Sequence, residues 1–211
     1  MSKLEAYAPP AEAAKPLSPT ELLATLREAL DPWQPGTPFW IFAYGSLMWN
    51  PQFSWDARHV ATIRGYHRSF RVWSRMNRGT PENPGLVLTL ECGGSCRGLV
   101  YRIKADRVQE EMHAIWKREM SFDSYVPKWL NCHVGEEPVK ALAFTVNHAC
   151  SGYSGDIPLE VMVNALASAR GRYGPAHDYL FKTTETLRAH GIRDTRVEHL
   201  ASLVRAKLPQ E

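Results

Sequence analysis

The hydrophobic residues of this chain follow a strand-like pattern in the first two thirds. Between residues 39 and 146, short runs of β-branched and aromatic residues alternate with clusters of Gly, Pro and Asn, which is typical of strands joined by turns. The segment 92–95 is predicted as one such break because it contains two glycines. Six runs are predicted as strands: Phe39–Tyr44, Val60–Ile63, Ser69–Trp73, Leu86–Leu90, Gly98–Ile103 and Val139–Val146.

After residue 155 the hydrophobic spacing becomes helical. Helices are predicted over residues 158–170, 176–190 and 195–207. Thr195 and Glu198 form the expected capping pair of the last helix. Strands followed by helices favour an α+β fold, with a curved sheet or small barrel, over a doubly wound parallel sheet.

The first 35 residues are predicted to be an N-terminal extension of a main domain that spans residues 36–211. Residues 1–17 are rich in Ala and Pro, a composition that favours extended or disordered chain. Ser18 precedes a proline and then Glu21, which is the pattern of a capped helix start, and a leucine-rich run follows. We therefore expect one short helix in the extension.

One predicted helix interrupts the strands and carries a carboxylate on its apolar side. It runs from about Asp106, the expected N-cap, to Glu119 or just beyond. At about 100° per residue Glu119 falls inside its apolar stripe, whereas Glu111 falls on the polar shoulder. Burial removes hydration from a carboxylate and raises its pKa toward the range that suits proton transfer. Glu119 is therefore a candidate general acid and base. The alternative is that the helix ends earlier, so that this Glu is solvated or pairs with a neighbouring Arg. The stripe consists of Val108, Met112, Ile115 and Trp116.

A second candidate feature is the turn that follows the first predicted strand. Gly45 allows close approach of the backbone, and successive N–H groups in such a turn form a concave group of donors for a carboxylate or an oxyanion. Ser46 is not predicted to be a nucleophile, since Tyr44 and Met48 occupy the positions where the nucleophile elbow has glycine.

Composition narrows the class of protein. The chain has 211 residues, of which 44% are hydrophobic and 22% charged, and it lacks the roughly 20-residue apolar stretch of a bilayer-spanning helix. Its beginning lacks the features of a secretory signal, so we expect a cytoplasmic protein with no membrane partner and four free thiols. Cys92 and Cys96 have no second ligand pair, so no metal is predicted.

An alternative class is a module that binds single-stranded nucleic acid. The mild net charge of +3 leaves this open without requiring it, and the strand period does not place the arginines on one face. We therefore predict no nucleic-acid partner. The residues that motivate the alternative are Arg64, Arg68, Arg71, Arg75 and Arg78, interleaved with Tyr66, Phe70 and Trp73.

Four separated segments, in order and spacing, resemble the ChaC-like γ-glutamylcyclotransferases. The resemblance covers roughly residues 39–190, and its motifs together are far more specific than the Tyr-Gly-Ser turn alone. The segments are Phe-Ala-Tyr-Gly-Ser-Leu at 42–47, Gly-Tyr-His-Arg-Ser-Phe at 65–70, Arg78 to Gly85, and Trp-Lys-Arg-Glu-Met at 116–120.

The resemblance implies a small mixed β-barrel flanked by helices and a reaction without a cofactor. Reduced glutathione would be cyclised at its γ-glutamyl group, giving 5-oxoproline and Cys-Gly, with Glu119 as the catalytic acid and base. Tyr153 corresponds to a family tyrosine near the site. Ala43 stands where many relatives have Gly, a difference that affects the expected range of substrates. The alternative function is that of a cyclotransferase for other γ-glutamyl amino acids or amines. The segment implied to hold the γ-glutamyl group is Ile41, Phe42, Ala43, Tyr44, Gly45, Ser46 and Leu47.

Overall fold

A computed structural model describes Tyr7, Pro9, Pro10, Glu12 and residues 14–209. The chain divides into two compact units. The first, called the barrel unit below, comprises residues 15–68 and 89–147. The second, called the helical unit, comprises residues 69–88 and 148–211 together with the stretch before residue 15, as far as these are described.

The described part of the chain has five long strands: β1 (Phe39–Ala43), β2 (Ala57–Ser74), β3 (Gly85–Ile103), β4 (Tyr125–Val134) and β5 (Glu137–Val146). They close into a barrel in the order β1-β3-β2-β4-β5. β1 pairs antiparallel with β3 and parallel with β5, where Ile41 lies opposite Leu142, so the barrel is mixed. The α+β class predicted from the sequence pattern is confirmed, and so is the mixed barrel implied by the family resemblance.

The strands differ from the prediction in length and in number. The runs 60–63 and 69–73 belong to the single strand β2, and β3 continues through the predicted break at 92–95. Gly93 and Gly94 lie within β3 with φ values of 93° and 74°, a conformation that glycine adopts without steric cost, so the strand deviates locally but does not end. β4 was missed, because its internal Pro127 and polar residues weaken the strand pattern.

Helix α1 (Pro19–Leu30) confirms the capped start that was predicted. The Ser18 hydroxyl accepts a hydrogen bond from the Glu21 amide at 3.3 Å, and the Glu21 carboxylate accepts one from the Ser18 amide at 2.7 Å. Thr25 and Ala29 of α1 accept hydrogen bonds from tryptophan side chains of the barrel unit. The domain boundary at residue 35 stays a prediction.

Helix α2 (Val108–Glu119) follows a 3₁₀ turn at Ala105–Arg107. Because Asp106 lies inside that turn, the prediction that it caps α2 was wrong, and Arg107 stands at the N-cap without a side-chain capping bond. The C-terminal bound at Glu119 is as predicted.

The helical unit contains three helices where the sequence predicted them. The side chain of Asp194 caps the last helix, α5 (Thr195–Lys207), by accepting a hydrogen bond from the Val197 amide at 3.2 Å, so the prediction that Thr195 does so was wrong. Across the described residues, no helix is long and apolar enough to cross a membrane. The elements are α3 (Leu159–Ser168), β6 (Arg170–Gly171), β7 (Gly174–Pro175), α4 (Ala176–Ala189) and α5 (Thr195–Lys207).

Candidate active site

Glu119 is the last residue of α2, and its side chain is only 14% exposed. The apolar stripe of the helix is buried as predicted, and the Trp116 ring packs against Phe144 of β5 with 5.6 Å between centroids. This packing directs the residue one turn further on toward the protein interior. The helix therefore does not end early, although the carboxylate does pair with the neighbouring Arg118.

Burial raises the pKa of the Glu119 carboxyl group above its ordinary value, because an ionised carboxylate in the interior loses hydration. The guanidinium of Arg118, 3.0 Å away, opposes this effect and lowers the pKa, but burial is the larger influence. The negative end of the α2 dipole also disfavours a negative charge at this position. The carboxyl group is therefore biased toward holding a proton.

Glu111, on the same helix, is a buried carboxylate whose hydrogen-bond partners compensate for its burial. It is only 6% exposed, although the sequence places it on the polar shoulder of the helix where charged groups are expected. Burial alone would raise the pKa of Glu111, but hydrogen bonds from Ser54 and the Arg107 guanidinium outweigh it, and the pKa is lowered. Two carboxylates on one helix thus have opposite pKa shifts, which is a pattern that separates a structural group from a candidate acid and base.

The turn after β1 presents a set of unoccupied backbone donors. Gly45 leads into a 3₁₀ turn at Ser46–Met48, where the Met48 amide donates to the Gly45 carbonyl at 2.9 Å. The amides of Gly45, Ser46 and Leu47 have no hydrogen-bond acceptor within the part of the chain that the structure describes. Three adjacent free N–H groups form the kind of concavity that binds a carboxylate or an oxyanion.

Arg118 connects this donor turn to Glu119. Its Nε lies 3.0 Å from the Glu119 carboxylate, and its Nη2 donates to the Ser46 hydroxyl at 2.9 Å. Its Nη1 donates to the Asn50 carbonyl. One guanidinium thus contacts both the Glu119 carboxylate and the Ser46 side chain of the donor turn. Arg118 was not predicted as a site residue, because a charged residue on the shoulder of an amphipathic helix resembles an ordinary surface residue.

The other predicted site residues are placed as follows. Ile41, Phe42 and Ala43 lie in β1 with fully buried side chains, and their backbones pair with β3. The Tyr44 hydroxyl donates to the Phe144 carbonyl at 2.7 Å. Tyr153 belongs to the helical unit.

Tyr153 contacts the part of β2 that lies in the helical unit. It forms an isolated antiparallel bridge with Val72, and its ring packs edge-on against His148 with 4.8 Å between centroids. Its assignment to the site stays a prediction.

The arginines that motivated the nucleic-acid alternative do not form an exposed stripe. Arg68 and Arg78 are 5% and 8% exposed, and each donates to backbone carbonyls in its own unit. Arg71 pairs with Asp156. Among the described residues, no cluster of three or more His, Cys, Asp and Glu could hold a metal ion.

The raised pKa of Glu119 predicts a pH-dependent gain of stability in the Glu119→Gln variant. Below the ordinary pKa of Glu, the side chain is protonated in both folded and unfolded wild type, so the two proteins should have nearly equal Tm at about pH 4. As the pH rises, the unfolded chain ionises first and the wild type loses stability relative to the variant. Thermal unfolding between about pH 4 and pH 8 should show the Tm difference growing in favour of Gln. A Tm difference in favour of the wild type would contradict this prediction. It would mean that the contact with Arg118 outweighs the effect of burial on the ionised Glu119 carboxylate.

Comparison with known proteins places the chain in a family. The model of the family described as ChaC-like protein matches residues 39–207, and this chain belongs to that family. It is 33% identical over 174 residues to the glutathione-specific γ-glutamylcyclotransferase of Escherichia coli strain K12, covering 82% of this chain and 75% of that protein. It is 30% identical over 202 residues to the human glutathione-specific γ-glutamylcyclotransferase 1, covering 92% and 90% of the two chains.

The fold is shared with a solved structure. A crystal structure of a yeast γ-glutamyl cyclotransferase specific to glutathione superposes with a TM-score of 0.77 at 20% identity, covering 82% of this chain and 97% of the yeast chain. At 20% identity, this similarity shows a shared fold and nothing more.

Proposed function

We propose that this protein degrades reduced glutathione by cyclising the γ-glutamyl group, with release of 5-oxoproline and Cys-Gly. The observation that carries the proposal is a buried carboxylate of raised pKa, Glu119, joined through Arg118 to a turn of free backbone donors. The names of the E. coli and human relatives support glutathione as the substrate. The reaction is an intramolecular acyl transfer, in which the substrate supplies its own nucleophile.

Glu119 acts as the base and then as the acid. The free α-amine of a peptide has a pKa of about 8 and is mostly protonated at neutral pH, so a proton must be removed before the nitrogen attacks. The amine nitrogen then bonds to the γ-carbonyl carbon, and the bond from that carbon to the cysteine nitrogen breaks. Glu119 returns its proton to the departing cysteine nitrogen, which leaves as the amine of Cys-Gly. The attacking nitrogen keeps one hydrogen in the lactam ring and loses its other proton to the Cys-Gly amine or to water.

The donor turn binds an anionic group of the substrate. The amides of Gly45, Ser46 and Leu47 either anchor the α-carboxylate or stabilise the oxyanion that forms at the γ-carbonyl. Either role holds the glutamyl chain in the folded geometry that brings amine and carbonyl together, and such fixed geometry is worth roughly 7 to 11 kcal/mol in favourable cases. Holding the glutamyl chain in this geometry is therefore a large part of the proposed catalysis.

The experiment that tests the proposal uses the purified protein and millimolar reduced glutathione. Mass spectrometry should detect 5-oxoproline and Cys-Gly in equal amounts. Release of glutamate instead of 5-oxoproline would identify a hydrolase and refute the cyclisation mechanism. Turnover of γ-glutamyl-alanine without turnover of glutathione would keep the mechanism but assign the alternative substrate class, other γ-glutamyl amino acids or amines.

The contact of Arg118 with Glu119 predicts a shifted pH profile in the Arg118→Met variant. Removing the cation takes away the influence that lowers the pKa of Glu119, so that pKa rises further. Since the base must be ionised, the acidic limb of the kcat/KM profile should move to higher pH. Arg118→Lys, which retains the charge, should keep the limb near its wild-type position. A limb that stays in place or moves to lower pH in Arg118→Met would contradict the coupling.

We also propose a cytoplasmic location, which stays a prediction from the composition. Its support is that all four cysteines are free thiols, three of them buried.

A further inference from the structure

The motif at residues 65–70 has no role in the mechanism above, yet it carries a buried arginine that reaches the donor turn. Arg68 on β2 is 5% exposed. Its Nε donates to the Tyr44 carbonyl at 2.5 Å, and its Nη2 donates to the Arg97 carbonyl of β3 at 2.7 Å. The guanidinium therefore bridges the end of β1 to β3, immediately before Gly45.

The contact with Tyr44 determines where the Gly45 amide points. In a planar trans peptide the C=O of one residue and the N–H of the next point in opposite directions. Because Arg68 holds the Tyr44 carbonyl on its own side, the Gly45 N–H must point away from Arg68. That N–H is the first of the three free donors. The other end of Tyr44 is fixed as well, by the bond from its hydroxyl to the Phe144 carbonyl.

The same contact strengthens the Gly45 donor. A carbonyl that accepts a hydrogen bond from a cation is polarised, and the polarisation passes through the peptide unit to its N–H. A neutral donor in place of Arg68 would fix the direction of the peptide less firmly and would polarise it less. The guanidinium fork also spans two carbonyls at once, which a lysine ammonium on a flexible stem does with poorer geometry.

We propose that Arg68 is a positioning residue for catalysis, which orients and polarises the Tyr44–Gly45 peptide so that the Gly45 N–H binds the anionic group of the substrate. This inference rests on the proposed function of the donor turn. In this proposal Arg68 influences the substrate through the Tyr44–Gly45 peptide that it holds. It also gives the 65–70 motif a physical reason to contain arginine at its fourth position.

The test compares Arg68→Lys with wild type in two measurements. Removal of one oxyanion donor typically costs about 10² to 10³ in kcat, so a misdirected donor should lower kcat/KM for glutathione by about tenfold or more. A rise in KM would assign the turn to the α-carboxylate, whereas a fall in kcat would assign it to the oxyanion. Both outcomes support the proposal.

The second measurement does not depend on turnover. In protein labelled with ¹⁵N-glycine, the Gly45 amide signal is identified by its loss in a Gly45→Ala variant. Its proton resonance should move upfield in Arg68→Lys, because the peptide is less polarised. It should also respond less than in wild type when 5-oxoproline is added as a probe.

The matched control is Arg64→Lys, an exposed arginine on the same strand, which should leave both measurements unchanged. A folded Arg68→Lys protein with wild-type kcat/KM and an unchanged Gly45 signal would overturn the proposal. If the wild type itself does not process glutathione, the proposed function fails, and the Gly45 signal alone then decides whether Arg68 controls this peptide.

Discussion

Replacing Glu119 with Gln is expected to lower kcat/KM for glutathione by at least about a hundredfold, the lower scale for loss of a general base. Gln has nearly the same shape as Glu but cannot take a proton from the substrate amine. Its amide can still receive a hydrogen bond from Arg118, so the link to the Ser46 turn is retained. The measurement is steady-state production of 5-oxoproline by both proteins across a range of pH.

Glu111→Gln is the matched control for this result. Glu111 lies on the same helix and is also buried, but its pKa is lowered by its partners, which makes it a structural carboxylate. Its replacement should leave kcat/KM within a few-fold of wild type, while weakening the contacts of Arg107 and Ser54. Near-wild-type turnover by Glu119→Gln, or an equal loss in both variants, would remove Glu119 from its assigned role.

Replacing Gly98 with Ala is expected to destabilise the barrel by about 3 kcal/mol, at the upper end of the usual range for overpacking. A Cβ at this position would lie 2.3 Å from the Ala43 carbonyl oxygen and 2.8 Å from the Phe42 ring. The carbonyl belongs to the backbone of β1, which is paired on one side with β3 and on the other with β5, so it cannot move without disturbing the barrel. For a chain of this size the loss corresponds to a Tm lower by roughly 6 to 12 °C.

Gly152→Ala is the control for this prediction. A Cβ there would meet its nearest neighbours, Ala14 and Cys150, at 3.4 Å, which is ordinary van der Waals contact. Its Tm should stay close to that of wild type. Equal Tm values for the two alanine variants in a calorimetric scan would contradict the prediction. They would mean that β1 and β3 accommodate the added Cβ with little loss of stability.

The prediction at Gly98 also bears on the donor turn, since Ala43 is the last residue of β1. A displaced Ala43 carbonyl would shift Tyr44, whose carbonyl binds Arg68. We therefore expect any folded Gly98→Ala protein to lose activity beyond what its unfolded fraction accounts for. Comparing kcat/KM per folded molecule at a temperature well below Tm measures this effect.

The sequence by itself determined those features that depend on neighbours along the chain. The capping box at Ser18 and the apolar stripe of α2 were correct, because both follow from spacing within a few residues. The position of Glu119 inside that stripe was correct for the same reason. The four motifs were sufficient to indicate the family, because their order and spacing are properties of the sequence alone.

Only the tertiary structure decided the features that depend on distant parts of the chain. Whether Gly93 and Gly94 end a strand or merely distort it depends on the pairing partner, because glycine permits both outcomes. β4 was missed for a related reason, since its ten-residue pairing with β5 outweighs a weak local pattern that includes Pro127.

The roles of the charged side chains were the features that the sequence predicted least well. Arg118 bonds to Ser46 across 72 positions of sequence, and Arg68 bonds to Tyr44 across 24. The sequence pattern around an arginine is the same whether its side chain lies in solvent or is buried against a backbone carbonyl. Its role is fixed by the three-dimensional placement of the acceptor, so the residues that hold the site together became visible only in the folded chain.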